Sequence, residues 1–356
     1  MDQADARDQV NEHVHATLTS LERHIAAATD ATNDLLEPLT KVASKGKRMR
    51  ATLLLAAHDA CNGTSPGAAV RVAAALELFQ TAALIHDDVL DRSDTRRGLP
   101  SVHRMIEATH RTHGLDGDAQ RHGINGAILT GDLSVMACLG EVASACAQLE
   151  PAVGLRVAQR FTAMASLCTA GQYLDVRLAA TDLTAALADI DTIIAVMRSK
   201  TASYTTEGPL ALGAAIAGCD DATVDAWAAA GVPLGIAFQL RDDILGITGA
   251  HDVTGKPAGD DLREGKRTIV LAQALARATA TQRATILAVA GNTQATDDAV
   301  RCACDAVANS GAIDVVEQLI TDYSDQARAA LEPLVATGAH TAALNAFIDA
   351  AVRRDY

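Results

Sequence analysis

Apolar residues recur at helical spacing along most of this chain, with polar residues between them. Apolar positions three and four residues apart predict helices, whereas strict alternation of apolar and polar residues predicts strands. No segment shows a sustained strand-like alternation. The pattern predicts helices over residues 10–28, 49–60, 68–91, 125–147, 151–179, 183–199, 202–217, 222–245, 268–278, 281–288, 297–310, 312–334 and 340–352.

The composition favours the same all-α fold class. Hydrophobic residues make up 49 % of the chain and aromatic residues only 3 %. Ala and Leu are strong helix formers, whereas strands are enriched in aromatic and β-branched residues. The 356 residues exceed the usual size of one hydrophobic core. Since no Pro/Gly/Ser-rich linker and no internal repeat divides the sequence, we nevertheless expect one domain over residues 1–356.

The charge balance excludes one class of partner. The formal net charge is −14, so nucleic acid, whose phosphates are negative, is not expected to bind. The polar N-terminal residues do not resemble a signal peptide, and no apolar run reaches the roughly 18 uncharged residues of a membrane span. We therefore expect a cytoplasmic protein without a transmembrane segment.

Two long polar connections interrupt the helical pattern, over residues 92–124 and 247–267. Loops of this length in a helical chain are usually functional or disordered. Each connection begins immediately after a predicted helix that ends in a pair of Asp residues. This coincidence indicates where a functional site lies.

The first helix end carries Asp87, Asp88 and Asp91 within the stretch LIHDDVLD. Residues four apart share one face of a helix, so Asp87 and Asp91 are expected to project together, with Asp88 about 100° around the axis. The second helix end carries Asp242 and Asp243. Carboxylate oxygens in such groups suit Mg²⁺, which commonly bridges carboxylates to the phosphates of a ligand.

Basic residues lie near both acidic groups. The stretch SKGKRMR supplies Lys47, Arg48 and Arg50, and the stretch DRSDTRRG supplies Arg96 and Arg97. Three lysines follow later in the chain, namely Lys200, Lys256 and Lys266. A diphosphate bound through metal needs acids, whereas a diphosphate bound without metal needs Arg and Lys directly. The sequence therefore predicts binding sites for two different diphosphates.

These motifs resemble the trans-isoprenyl diphosphate (polyprenyl) synthases, most closely the bacterial geranylgeranyl diphosphate synthases. The similarity extends from about Lys45 to Lys266 and consists of GKRMR, LIHDDVLD with RRG, GQYLD, SKT, FQLRDD and TGKPAGDDLREGK, in that order. One chance match to such a motif is easy, but six ordered elements are not. The resemblance implies a single large all-α bundle around a deep central cavity, normally assembled as a homodimer.

The resemblance also implies a reaction. The expected enzyme is a Mg²⁺-dependent prenyltransferase that condenses isopentenyl diphosphate with allylic diphosphates by ionisation, condensation and elimination. It would hold roughly three Mg²⁺ ions per active site, with Mn²⁺ able to substitute.

Site residues are implied by the same resemblance, position by position. Asp87, Asp88 and Asp91 would ligate Mg²⁺ on the allylic diphosphate. Asp242 would ligate a further Mg²⁺, with Asp243 in support. The remaining candidates are Arg96, Lys200, Lys256 and Lys266 for the allylic diphosphate, Lys47, Arg50, Gln80 and Arg97 for isopentenyl diphosphate, and Thr201 and Gln239 beside the reacting carbon.

The chain departs from the family pattern at several positions. The second acidic motif has Gly246 where many members have a third Asp, so one supporting acid is expected to be absent. Gln80 stands where many members have His, and its amide can still donate a hydrogen bond. Ser44 and Lys45 precede Gly46 where a Gly pair is common, and Ala51 replaces a common Pro.

Two other functions are compatible with parts of this pattern. A class I terpene cyclase ionises a prenyl diphosphate with similar acids, but it would not need the basic GKRMR and RRG elements. A non-catalytic or regulatory subunit could share the fold, and Gly246 is the feature that favours it.

Product length is expected to depend on the helix that leads into the first acidic motif. Ala83 and Ala82 stand four and five residues before Asp87, where short-chain members place bulky aromatic residues. Small residues there predict an open tunnel, closed further along by Phe79 or Leu76. We therefore expect geranylgeranyl diphosphate as product, with farnesyl diphosphate or a longer polyprenyl diphosphate as alternatives.

Overall fold

Helices form nearly all the regular structure in the computed structural model, which describes residues 3–26, 30–249, 259–335, 344–346 and 348–349. The all-α fold class expected from the composition is therefore confirmed. The chain divides into two compact units. Unit 1 comprises Met1–Gln159 and Leu212–Asp220, and unit 2 comprises Arg160–Ala211 and Asp221–Tyr356.

Unit 1 is built mainly from six helices and one short hairpin. The helices are α1 (Gln3–Ala26), α2 (Asn33–Ala43), α3 (Met49–Ala60), α4 (Pro66–Leu90), α5 (Val102–Thr112) and α6 (Ala119–Cys146). The strands are β1 (Thr95–Arg96) and β2 (Leu99–Pro100), and a 3-10 turn spans Asp30–Thr32. Helix α4 packs along α6, where the Ser134 hydroxyl donates to the Leu78 carbonyl over 2.8 Å.

The connection predicted over residues 92–124 is largely structured, so that prediction was wrong. It contains the β1–β2 hairpin, all of α5 and the first turn of α6. Helix α5 buries only a narrow stripe that includes Val102 and Ile106, and its other positions are mostly polar. Helix α5 therefore lacks the long run of apolar residues that marks the longer helices. The two strands have two residues each, too few for alternation to be visible.

Unit 2 contains most of α7 (Pro151–Ala179) and the helices that follow it. These are α8 (Leu183–Ala188), α9 (Ile190–Val196), a π-helix (Met197–Glu207), α10 (Gly208–Ile216, whose residues from Leu212 belong to unit 1), α11 (Asp221–Thr248), α12 (Asp260–Glu264), α13 (Ile269–Arg277), α14 (Ala280–Val289), α15 (Asp297–Ala308), α16 (Ala312–Leu331) and a 3-10 turn (Glu332–Leu334). Most of the helix predicted over residues 340–352 lies outside the described residues.

The helix predicted over residues 183–199 is broken at Asp189. The Asp189 carboxylate accepts from the Thr192 backbone N–H over 3.1 Å and from its hydroxyl over 2.7 Å, which caps a new helix, α9. Helix α9 then continues directly into the π-helix. The predicted loop 247–267 is also partly helical, since α11 extends to Thr248 and α12 begins at Asp260.

Two glycines of α11 allow the π-helix to approach closely. A Cβ at Gly235 would lie 2.4 Å from the Ala202 Cβ, and a Cβ at Gly231 would lie 2.6 Å from the Glu207 Cα. The Thr206 hydroxyl also donates to the Gly231 carbonyl over 2.7 Å. The wide turns of the π-helix are therefore held directly against α11.

Two helices, α4 and α6, are long and apolar enough to meet a composition test for membrane spans. In their most apolar 18-residue windows, 78 % of the α4 residues and 50 % of the α6 residues are buried within the structure. Burial of this kind is typical of the core helices of a globular protein. Because α4 and α6 also pack against each other, we assign both to the core of unit 1.

Candidate active site

The first acidic cluster, Asp87, Asp88 and Asp91, lies at the C-terminal end of α4. Asp91 ends the helix, and its backbone N–H donates to the Asp87 carbonyl. Asp88 is only 3 % exposed, whereas the Asp87 side chain is 20 % exposed. A buried carboxylate requires a charged or hydrogen-bonded partner, because leaving water costs free energy.

That partner is Arg96, which the hairpin turns back towards the helix end. Its Nε lies 2.7 Å from Oδ1 of Asp88, and its Nη2 lies 3.3 Å from Oδ2 of Asp87. Burial opposes the guanidinium charge, but the carboxylates of Asp88, Asp87 and Asp91 outweigh burial and raise the pKa of Arg96. The structure therefore brings Arg96 together with the acids of the first motif.

The turn of the hairpin presents Arg97 in an unusual conformation. Arg97 and Gly98 connect the two strands with φ values of 54° and 74°, the left-handed conformation at both turn positions. Gly is common in such turns, whereas Arg is not. The Arg97 Nη1 donates to the Lys45 carbonyl over 2.5 Å, so the turn is tied to the loop that carries Lys47.

A basic cluster, Lys47, Arg50 and Arg97, is associated with this turn. Partial burial and the charge of Arg50 lower the pKa of Arg97, with smaller contributions from Arg96 and Arg48, while Glu77 opposes them. Mutually repelling guanidinium groups are expected where an anion binds. Gln80 lies on α4 and is buried. Its Oε1 has no hydrogen-bond partner within the described part of the chain.

The second acidic cluster lies in unit 2 and consists of Asp242 and Asp243 on α11 and Asp261 on α12. A hydrogen-bond relay leads to it from the π-helix. The Thr201 hydroxyl donates to Oε1 of Gln239 over 2.7 Å, and Nε2 of Gln239 donates to Oδ1 of Asp243 over 2.8 Å. The π-helix thus contacts the second acidic motif through two predicted site residues.

The charge of Asp243 is strongly disfavoured. Burial, together with the charges of Asp261 and Asp242, raises the pKa of Asp243 to about 8, although Gln239 and Lys266 oppose the shift. A divalent cation beside this carboxylate would lower its pKa again. The cluster is therefore electrostatically suited to a cation.

Gly246 has no carboxylate, but the carboxylate of Asp261 fills the space beside it. A Cβ at Gly246 would lie 2.1 Å from Oδ2 of Asp261. The other oxygen of Asp261 accepts from Lys266 Nζ over 2.9 Å. A carboxylate from α12 thus occupies the place that a third acid of the motif would need. Sequence reasoning missed Asp261, although it lies inside the quoted motif TGKPAGDDLREGK.

Lys200 lies on the π-helix and pairs with Asp175 of α7, with 2.5 Å between Nζ and Oδ2. Asp175 is the last residue of the GQYLD motif and was also missed as a site candidate. Gly171 in the same motif lets α7 approach the π-helix, since a Cβ there would lie 2.3 Å from the Lys200 backbone N. The remaining lysine candidate, Lys256, lies outside the described residues.

The four chain-length candidates on α4 differ in exposure. Leu76 and Ala82 are buried, at 0 % and 2 % exposure. Phe79 and Ala83 are partly exposed and stand eight and four residues before Asp87. Residues spaced by four share a helix face, so Phe79 and Ala83 lie in line with Asp87.

The oxygen donors of both acidic clusters fit Mg²⁺ together with a phosphate ligand. Among the described residues, no three Asp, Glu, His or Cys side chains converge into a complete metal site. Mg²⁺ is commonly held by one or two carboxylates, with waters and substrate phosphates as its other ligands. Asp87 and Asp242 are the more exposed members of the two Asp pairs, since Asp88 is 3 % exposed and Asp243 is 7 % exposed, so they are the carboxylates best suited to that role.

Comparison with known proteins identifies clear relatives. The family model for polyprenyl synthetases matches residues 32–307. The chain is 31 % identical over 318 residues to the geranylfarnesyl diphosphate synthase of Aeropyrum pernix, covering 87 % of this chain and 90 % of that protein. It is 29 % identical over 332 residues to the geranylgeranyl diphosphate synthase of Methanosarcina mazei, covering 89 % and 92 %.

A solved structure is similar over the whole chain. The crystal structure of geranylgeranyl pyrophosphate synthase from Corynebacterium glutamicum, complexed with isoprenyl diphosphate and magnesium, matches with a TM-score of 0.92 and 33 % sequence identity. The match covers 99 % of this chain and 100 % of that chain.

Proposed function

This chain belongs to the polyprenyl synthetase family, and on that premise we propose that it condenses isopentenyl diphosphate with allylic diphosphates to give geranylgeranyl diphosphate. The family consists of Mg²⁺-dependent prenyltransferases that use these two classes of substrate. The observation that carries the proposal is the presence of two kinds of anion site in one chain, acidic clusters suited to Mg²⁺ and a basic cluster of Lys and Arg.

The first acidic cluster is proposed to bind the allylic diphosphate through metal. Bound Mg²⁺ would neutralise the diphosphate and make it a better leaving group. Asp87 and Asp91 would present oxygens to the metal, and Asp88 would hold Arg96 in place for a phosphate oxygen. One charge pair at about 4 Å contributes about 4 kcal/mol at an effective dielectric constant near 20.

The second acidic cluster is proposed to hold a further Mg²⁺ at Asp242, with roughly three ions in all and Mn²⁺ able to substitute. Asp261 and Asp243 would orient the waters of that ion. Lys200 and Lys266 would then contact phosphate oxygens, and Lys256 is proposed to do the same. The relay from Thr201 to Gln239 would present oxygen dipoles to a developing carbocation.

The basic cluster is proposed to bind isopentenyl diphosphate without metal. Lys47, Arg50 and Arg97 would contact its phosphate oxygens, and the buried amide of Gln80 would complete the hydrogen bonds. A class I terpene cyclase has no need of this second diphosphate site. A non-catalytic subunit is disfavoured because Asp261 occupies the place that Gly246 leaves open.

The proposed product rests on the size of the α4 side chains. Ala83 leaves room for a tail that runs from Asp87 along the helix, and Phe79 would stop it one turn later. Geranylgeranyl and geranylfarnesyl synthases among the relatives support a product in this range. Farnesyl diphosphate and longer chains are the alternatives.

We also propose that the enzyme is a homodimer in the cytoplasm, with residues 1–356 as one synthase domain. The family model extends across residues of both units, which supports one domain.

Helix α6 supports the proposed homodimer, because it exposes four large apolar residues within an arc of about 100°, as an interface helix would. They are Ile128, Leu129, Met136 and Leu139, between 42 % and 57 % exposed.

Product analysis tests the proposed function directly. The purified protein is incubated with isopentenyl diphosphate and dimethylallyl, geranyl or farnesyl diphosphate, with Mg²⁺ or with EDTA. We expect Mg²⁺-dependent formation of geranylgeranyl diphosphate, identified by mass spectrometry. Cyclic hydrocarbon products would indicate a cyclase instead. Absence of turnover with every primer would indicate a non-catalytic subunit.

A further inference from the structure

A buried ion pair in unit 1 joins the segment that carries Lys47 and Arg50 to α4. Arg48 is 4 % exposed and Glu77 is 5 % exposed, and Nη1 of Arg48 lies 3.3 Å from Oε2 of Glu77. The reaction proposed above does not use either residue, although Arg48 lies between two residues that it does use, Lys47 and Arg50. Buried pairs of this kind require full hydrogen bonding to be tolerated.

The guanidinium of Arg48 is bound on three sides. Its Nε donates to the Asn11 side chain over 2.7 Å, and its Nη2 donates to the Ala43 carbonyl over 2.6 Å. Together with Glu77, these partners come from α1, the end of α2 and α4. The side chain of Arg48 therefore fixes the loop that enters α3 to three other helices.

The backbone of Arg48 has a second function in the same loop. Its φ and ψ are 57° and 34°, a left-handed conformation, and α3 begins at the next residue. This conformation costs an ordinary residue free energy and persists only when the surroundings hold it. At this start of α3 the side chain of Arg48 is buried, while Lys47 is exposed and Arg50 is half-buried.

Glu77 links this loop to α4. Its Oε1 accepts from the Ala51 backbone N–H over 3.3 Å, within the first turn of α3. Glu77 precedes Gln80 by three residues on α4, and its charge acts on Arg97. One carboxylate thus contacts the first turn of α3 and Arg48, and it is electrostatically coupled to Arg97.

We propose that Arg48 and Glu77 are a positioning pair for the basic cluster, which sets the geometry at which Lys47, Arg50, Gln80 and Arg97 meet a metal-free diphosphate. This inference rests on the proposed function, because it assigns that cluster to isopentenyl diphosphate. Side chains that bind a substrate need support from residues whose own positions are locked. The pair acts through its neighbours and does not contact the substrate.

The inference predicts a selective defect. Glu77→Gln and Arg48→Lys should raise the KM for isopentenyl diphosphate by about ten- to a hundredfold, while the KM for the allylic substrate changes little. The double variant Arg48→Met with Glu77→Met replaces a buried pair by apolar side chains, which commonly preserves folding. It should remain folded, yet it should bind isopentenyl diphosphate as weakly as the single variants.

The experiment combines kinetics with direct binding. Calorimetry in EDTA measures the affinity for inorganic diphosphate, which needs no turnover, and steady-state kinetics gives both KM values. Circular dichroism and the thermal midpoint report folding. Glu141→Gln is the matched control, since Glu141 is also largely buried and accepts from Arg71 of α4 over 2.8 Å, from Thr17 and from His13 of α1.

The outcomes separate the two proposals. Loss of diphosphate affinity in the pair variants, with folding retained and the control unaffected, supports the positioning pair. Wild-type affinity in the folded double variant, or an equal rise in both KM values, overturns it. If the wild type binds diphosphate in EDTA but forms no prenyl product, the proposed function fails, and the calorimetry still decides the role of Arg48 and Glu77.

Discussion

The side-chain amide of Gln239 donates to the buried carboxyl group of Asp243 over 2.8 Å. This single hydrogen bond does not compensate for burial and for the neighbouring acids, because the pKa of Asp243 is still raised from 3.8 to about 8. The second acidic cluster therefore holds a carboxyl group that keeps its proton near neutral pH unless a cation is beside it.

A pH-dependent stability follows for the protein in EDTA. Between about pH 4 and 8 the folded state retains a proton that the unfolded state has lost, so the free energy of unfolding falls as pH rises through this window. Asp243→Asn keeps an oxygen that can accept from Gln239 and removes the titration. We expect its thermal midpoint to exceed that of the wild type by an amount that grows from about pH 5 to about pH 8. A constant difference across this range would contradict the raised pKa.

Substitutions in the first acidic cluster should have different effects on stability but the same effect on catalysis. Asp88→Ala leaves the Arg96 charge poorly compensated in a buried site, which typically costs about 3–5 kcal/mol in the free energy of unfolding. Asp87 is more exposed and lies farther from Arg96, so Asp87→Ala should cost about 1 kcal/mol or less. Both variants should lose nearly all Mg²⁺-dependent turnover. Urea denaturation and product assays measure the two effects. Near-normal turnover of Asp87→Ala would refute the metal assignment, and near-normal turnover of Asp88→Ala would refute the role of Asp88 in holding Arg96.

Restoring an acid at position 246 should damage the site. Gly246→Asp places side-chain atoms where Oδ2 of Asp261 lies, so Asp261 must move, which should weaken its contact with Lys266. We expect the half-saturating Mg²⁺ concentration to rise by about tenfold, as in other losses of a supporting ligand. Adding Asp261→Gly should recover much of this loss, since the new acid then has room.

The matched control for that experiment is Asp260→Asn. Asp260 is the neighbour of Asp261 and pairs with Arg263 over 3.3 Å. Its substitution should leave the Mg²⁺ dependence unchanged. An equal effect of Asp260→Asn and Gly246→Asp would show that α12 is merely sensitive to substitution.

The length of the prenyl product should change on substitution of Ala83, whereas substitution of Ala82 should mainly affect stability. Ala83 lies in line with Phe79 and Asp87 on a partly exposed face, so Ala83→Phe should shift the product to shorter chains. Ala82 is 2 % exposed, so Ala82→Phe should mainly destabilise the fold, by about 1–3 kcal/mol. Chromatography of the products and thermal melts distinguish the two. An unchanged product from a folded Ala83→Phe variant would place the end of the tunnel elsewhere.

The apolar helices were predictable because they are rich in Ala, Leu and other helix-forming residues over many consecutive positions. Helices α3 and α7 occupy the predicted residues 49–60 and 151–179. Helices α2 and α5 were missed, since each is short and buries only part of its surface. The break at Asp189 was missed because a capping Asp inside an apolar periodic segment is easily taken for a surface position.

The sequence predicted which residues belong to the candidate site, but it did not predict which of them contact one another. The spacing of Asp87, Asp88 and Asp91 is local, and a helix converts it directly into geometry. The pairing of Arg96 with Asp88 depends on a hairpin of two-residue strands, whose turn begins with an Arg that turn statistics disfavour. The approach of Asp261 to Gly246 depends on tertiary packing, which has no signature in the spacing of the residues.

Because the backbone of Arg97 is left-handed, a substitution that stabilises the protein at this position would also weaken substrate binding. Asn or Gly would adopt φ 54° at a lower conformational cost, so either should stabilise the hairpin while removing a proposed ligand of isopentenyl diphosphate. A directed-evolution campaign that screens only for thermal tolerance would therefore enrich chains that have lost catalysis. Sequencing position 97 in the survivors of parallel screens, one for heat resistance and one for turnover, would show the two populations diverge.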